Sequence, residues 1–62
     1  MTIDEWKTRH AAARAAGKWL YASDRRGVRG RVTRISGRGV TVAYDSGPCL
    51  RHPDDLFTVR AR

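Results

Sequence analysis

The sequence contains one cysteine, two prolines, two lysines and five aromatic residues in 62 positions. With Cys49 alone there is no internal disulfide, so no covalent framework stands in for a core. That absence leads us to expect a reducing, cytoplasmic setting. No apolar run approaches the roughly 18 residues that a membrane-spanning helix needs. Met1-Thr2-Ile3-Asp4-Glu5 carries no basic region ahead of an apolar stretch, so no secretory leader is expected. Acid is scarce as well: six carboxylates stand against 13 basic residues, a formal net charge of +7. A chain of this length has room for one domain, spanning 1–62, that buries roughly 60% of its unfolded surface. It has no room for a cofactor-sized cleft beside a separate scaffold, so neither a cofactor nor an enzymatic activity is expected.

Arginine is what the sequence has in excess, supplying 11 of the 13 basic residues. The guanidinium group is a planar five-donor fork matched to phosphate and carboxylate, which points to an anionic partner.

The chain changes texture near Gly17. Ahead of it, Thr2-Ile3-Asp4-Glu5 has the spacing of a capping box, and acids in the first turn followed by Lys7, Arg9 and Arg14 suit the helix dipole. Five alanines at 11, 12, 13, 15 and 16 add propensity, and Gly17 is a natural stop. The expectation is a helix over about 3–16. Its apolar stripe, Ile3, Trp6, His10 and Ala13, is narrow, so the helix must dock elsewhere, with Trp6 as the anchor. The same stripe could serve as a dimer face, so both monomer and homodimer remain open.

After Gly17 short alternating segments are punctuated by glycine. Trp19-Leu20-Tyr21 reads as a first strand and Ser23–Gly27 as a polar loop. In a second strand over 28–35, Val28, Gly30 and Val32 alternate with Arg29, Arg31 and Thr33. Ser36-Gly37-Arg38-Gly39 is a hairpin turn in which glycines allow positive φ. Val40, Val42 and Tyr44 mark the buried side of a third strand, and Asp45-Ser46-Gly47-Pro48 turns the chain again. Cys49–His52 makes a fourth strand, Pro53-Asp54-Asp55-Leu56 a single helical turn, and Phe57–Arg60 a fifth strand. The fold class is therefore mainly β with one N-terminal helix, the helix over about 3–16 and a small five-stranded barrel over about 18–61.

The Gly30-Arg31-Val32 strand, the Gly37-Arg38-Gly39 hairpin, Val40-Thr41-Val42-Ala43-Tyr44-Asp45-Ser46-Gly47 and the Pro53–Leu56 turn resemble the SH3-like barrel superfamily, nearest its Tudor and KOW-type members. KOW-type members are similar in holding nucleic acid on the barrel surface. Tudor members cage methylated side chains with aromatics, and the corresponding candidates here are Trp19, Tyr21, Tyr44 and Phe57. The helix is an addition to that pattern.

Six arginines fall within residues 25–38 without an acid among them: Arg25, Arg26, Arg29, Arg31, Arg34 and Arg38. Alternation sends Arg29 and Arg31 to the face opposite Val28 and Val32. Lys7, Arg14 and Lys18 on one side of the helix are candidates to extend this ridge. Such a ridge suits DNA or RNA phosphates, whose neutralisation releases counterions. The plainer reading is a solvated strand face. No helix-turn-helix, zinc finger or ribonucleoprotein motif is present, so binding without sequence specificity is expected. The role expected is that of a small accessory or regulatory factor, of the kind viruses and mobile elements carry. The competing class is a protein-interaction module or inhibitor, docking its basic face or the aromatic patch on an acidic protein partner. A membrane partner is not expected, because the apolar stripe is too thin to insert. Cys49-x-x-His52 has half of a zinc-site spacing, and His10 is the other histidine. Four ligands are wanted, so no metal is expected, and Cys49 is expected to pack as a small buried side chain.

Overall fold

The computed structural model describes residues 1–59 and 61–62. Its elements are a helix α1 (Ile3–Ala15), strands β1 (Tyr21–Asp24), β2 (Arg29–Ser36), β3 (Gly39–Tyr44) and β4 (Gly47–Arg51), one 3-10 turn (Pro53–Asp55), and β5 (Leu56–Val59). All five strands are antiparallel neighbours in one sheet of order β4-β3-β2-β1-β5, so β4 and β5 are its two edges and the sheet is not closed on itself.

The helix begins where local chemistry says it should. Thr2 Oγ1 accepts the Glu5 amide at 3.2 Å, and the Glu5 carboxylate accepts the Thr2 amide at 3.2 Å, closing the capping box. At the other end the chain turns at Gly17 with φ +72°, and the Lys18 amide donates to Ala13 O at 2.8 Å. Only Trp6 and Ala13 of the helix are fully enclosed. Trp6 has no exposed surface, and its indole Nε1 donates to Pro53 O at 3.2 Å. One large side chain thus ties α1 to the turn between β4 and β5.

Beneath Trp6 lies the inner face of the sheet, made of Leu20, Ala22, Val32, Val40, Val42 and Leu56. The outer face carries the alternate residues of the same strands. The register of β2 on β3 shifts between Val32, opposite Val42, and Arg34, opposite Thr41, so Thr33 is an extra residue. The shift inverts the alternation: Arg34 is exposed, while Ile35 packs against the core. In a strand without the bulge Arg34 would face inward with Val32.

The structure moves several sequence-based boundaries. The first strand runs Tyr21–Asp24, not Trp19–Tyr21, and takes Ser23 and Asp24 from the expected loop. The segment ahead of it is still paired: Leu20 O accepts the Val32 amide at 2.8 Å, and Trp19 exchanges two backbone bonds with Arg62, at 2.8 and 3.0 Å. Val28, expected on the buried side of β2, lies just before the strand and is exposed. β4 takes in Gly47 and Pro48, the proline being accommodated on an edge strand opposite Ala43. In the β2–β3 hairpin the positive φ falls on Gly39, at +147°, and not on Gly37. Cys49 is half-buried on β4 rather than enclosed. The final residue of the expected last strand, Arg60, lies outside the described residues.

Candidate nucleic-acid interface

The outer face can be read as rows across the sheet. Phe57 of β5 is opposite Ser23 of β1, and Ser23 is opposite Arg29 of β2. In the next row come Val59, Tyr21, Arg31, Ala43 and Pro48; beyond the bulge, Arg34 leads to Thr41 and Leu50. Arg29, Arg31 and Arg34 therefore form one column along β2, with Arg29 and Arg31 roughly 6.6 Å apart at the usual strand rise. Arg38 is exposed at the tip of the hairpin that follows, where its amide donates to Ser36 Oγ at 3.3 Å. Among the described residues no carboxylate comes within ion-pair reach of Arg29, Arg31, Arg34 or Arg38.

Arg25 and Arg26 behave differently. Arg25 Nε is 3.2 Å from Asp55 Oδ1, and Arg26 Nη2 is 3.0 Å from Asp24 Oδ2. Both belong to the six-arginine run, yet both are held at the β1 end by acids. One of these acids is distant in sequence. Of the helix cations, Arg14 reaches the column: its guanidinium lies 3.7 Å from the Trp19 ring centroid, and that of Arg31 lies 4.5 Å from the same ring. Arg14 also donates to Lys18 O at 3.3 Å. Lys18 is exposed beside it, and Lys7 is exposed two turns earlier on the helix, which rests on the inner face.

The four aromatic candidates are not brought together. Tyr44 packs inward against the core, with its hydroxyl on Asp24 Oδ2 at 3.3 Å and the Arg51 guanidinium 5.5 Å from its ring centre. Trp19 lies under two guanidinium groups. Tyr21 is half-buried in the middle of the outer face, and Phe57, at the edge, is 58% exposed. Because Tyr44 is on the other side of the sheet from Tyr21 and Phe57, the four do not line one cage.

Asp24 organises this end of the sheet, a role that the sequence reading missed by placing it in a loop. It is the one buried charged residue among those described, with 5% of its surface exposed. Its Oδ1 accepts the amides of Arg26 at 2.9 Å and Val28 at 3.1 Å, which fixes the turn leading into β2. Its Oδ2 takes the Arg26 side chain and the Tyr44 hydroxyl, and Arg51 Nη2 lies 3.7 Å away. The one local clue was an aspartate followed two and four residues later by amides needing acceptors, an Asx-type turn. Burial pushes the Asp24 carboxyl pKa up. Hydrogen bonds from the Arg26 side chain and from the Val28 and Arg26 amides, with the Arg26 charge, outweigh that and hold it below the ordinary 3.8. Because the folded value is the lower one, the stability Asp24 contributes is complete above the unfolded value and is lost as pH falls through the folded value. Asp24→Asn should therefore be less stable at neutral pH and lose less on acidification from roughly pH 5 to pH 2. Urea melts of both proteins across that range test this; parallel pH profiles would refute it.

Compared with known protein families, with curated proteins and with solved structures, the chain matches none.

Proposed function

We propose that this protein binds nucleic acid chiefly through phosphates, as a small accessory or regulatory factor acting in the cytoplasm. The observation that carries the reading is the row of exposed guanidinium groups at Arg29, Arg31, Arg34 and Arg38, free of carboxylate partners among the described residues. Surface arginines kept only for solubility gain nothing from a shared direction, whereas a polyanion rewards several charges placed along one line. The bulge at Thr33 supports the reading, since it brings Arg34 to the side that Arg29 and Arg31 occupy. Arg31 is steadied on Trp19 beside Arg14, which lowers the ordering cost of using it. The strand order, with β1 between β2 and β5, and the 3-10 turn between β4 and β5 favour counting the sheet among SH3-like barrels of the Tudor and KOW kind. Within that resemblance the inward Tyr44 speaks for the KOW-type use of the surface over a methyl-side-chain cage.

Fluorescence anisotropy with labelled DNA and RNA at a series of salt concentrations tests the proposal. Arg29→Ala combined with Arg31→Ala should weaken binding across all sequences and lower the slope of log K against log salt by about 2, or about one for each phosphate no longer neutralised. Arg25→Ala, which removes an arginine already paired with Asp55, should change the slope far less. Unchanged affinity in the double variant would place binding elsewhere. Absence of wild-type binding at low salt would sink the reading and favour docking on an acidic protein.

A further inference from the structure

We infer that the outer face takes a single-stranded polynucleotide in preference to a duplex, one base stacking on Phe57 while the phosphates follow Arg29 and Arg31. The inference rests on the nucleic-acid reading above and narrows its ligand. Two observations and one chemical argument support it. Phe57 is the aromatic left open: Tyr44 faces inward, Trp19 is covered by Arg14 and Arg31, and Tyr21 is half-buried. At 58% exposed, Phe57 is also more open than Leu50 or Val28, in a chain with few large apolar side chains.

The second observation is the lane beside it. In the row Phe57–Ser23–Arg29 the middle residue is a serine, a short polar side chain between the two flanking positions. The two flanking positions are two inter-strand steps apart, roughly 9.6 Å. One residue pair further along β1 the lane meets Tyr21. A lane of this width, walled by a ring on one side and a cation on the other, fits one nucleotide laid across it, base toward the ring and phosphate toward the arginine.

The third argument concerns the partner. In a duplex both faces of every internal base are covered by neighbouring bases, so an aromatic ring has no π-face to meet. An unstacked base offers one, and aromatic platforms beside cationic tracks are how single strands are held without sequence preference. The arginine column alone would serve either form; Phe57 gains nothing from a duplex.

The experiment compares oligo-deoxythymidylate, oligouridylate and a matched DNA duplex on four proteins: wild type, Phe57→Ala, Phe57→Trp, and Arg29→Ala with Arg31→Ala. Thermal melts confirm that each is folded. Single strands should bind wild type more tightly than duplex. Phe57→Ala should weaken single-strand binding roughly 5- to 100-fold while leaving duplex binding near its wild-type level. Phe57→Trp should keep or raise single-strand affinity, and the double arginine variant should weaken all three ligands. Binding of either single strand that is tighter than that of duplex and lost in Phe57→Ala supports the inference; a single-strand preference that survives Phe57→Ala overturns it. Arginine-dependent binding that is equal for duplex and indifferent to Phe57 overturns the stacking site and leaves the phosphate reading standing. No binding of any of the three at low salt overturns both.

Discussion

Trp6→Ala is expected to remove about half or more of the folding stability of the chain. Trp6 has no exposed surface, contacts the valines of β2 and β3 through the core, and donates its indole N–H to Pro53 O. Truncating a buried tryptophan to alanine costs about 3–5 kcal/mol. A domain of this length has a total stability of about 3–9 kcal/mol, at roughly 0.05–0.15 kcal/mol per residue. No second large side chain of α1 is fully buried to take over, since Ala13 is the other enclosed residue and Ile3 is half-buried. Circular dichroism melts should show the midpoint falling by roughly 12 °C or more, at about 4–8 °C per kcal/mol for small domains. Trp6→Phe separates the two contributions. It keeps most of the packing and loses one hydrogen bond, for a cost nearer about 1 kcal/mol plus the volume lost. A Trp6→Ala protein melting within a few degrees of wild type would mean that the helix is not docked through this residue.

Within the β2–β3 hairpin, two glycines two positions apart should respond to alanine in opposite directions. Gly39 has φ +147°, a conformation L-residues rarely adopt, and a Cβ built there would lie 2.5 Å from Arg51 O on β4. The backbone strain alone is worth about 1–3 kcal/mol, and β4 must also move to relieve the contact, so Gly39→Ala should cost about 3 kcal/mol or more. Gly37 has negative φ, and a Cβ there meets nothing within 4 Å. Gly37→Ala should be neutral or stabilise by about 0.4–1 kcal/mol, by restricting the unfolded chain. Denaturant melts of the two variants decide the matter. Equal effects would show that the turn tolerates either residue and that the close approach of β4 relaxes cheaply.

What the sequence disclosed and what it hid divide along the range of the interactions. The helix start was legible because Thr2 and Glu5 cap each other three residues apart. The β2–β3 and β3–β4 hairpins were legible because two-residue turns with glycine nearby leave few alternatives, and Val40 and Val42 mark their buried side. Asp24 was not legible as a buried hub because Tyr44 and Arg51, which meet its carboxylate, lie 20 and 27 residues along the chain. Arg25 looked free for the same reason, its partner being Asp55. The bulge at Thr33 is a property of the register against β3, invisible in β2 alone; without it Arg34 could only be placed near the arginine ridge, not in its line. The aromatic set failed as a group because alternation fixes a face only once strands are paired. Tyr44 shares the phase of Val40 and Val42, whereas Phe57 is opposite Ser23 on the far side.

The alternation along β2 has a practical meaning for anyone who wishes to rewrite this protein. Gly30 is confined by its neighbours: an added Cβ would collide with Val42 Cγ1 and lie 2.8 Å from Ala43 O. Val32 is wholly enclosed. Arg29, Arg31 and Arg34, close to them in sequence, are exposed, with the Arg31 guanidinium resting over the Trp19 ring. Enclosed and exposed positions thus share one strand, so a library varied at 29, 31 and 34 alters the outer face while leaving the core side chains in place.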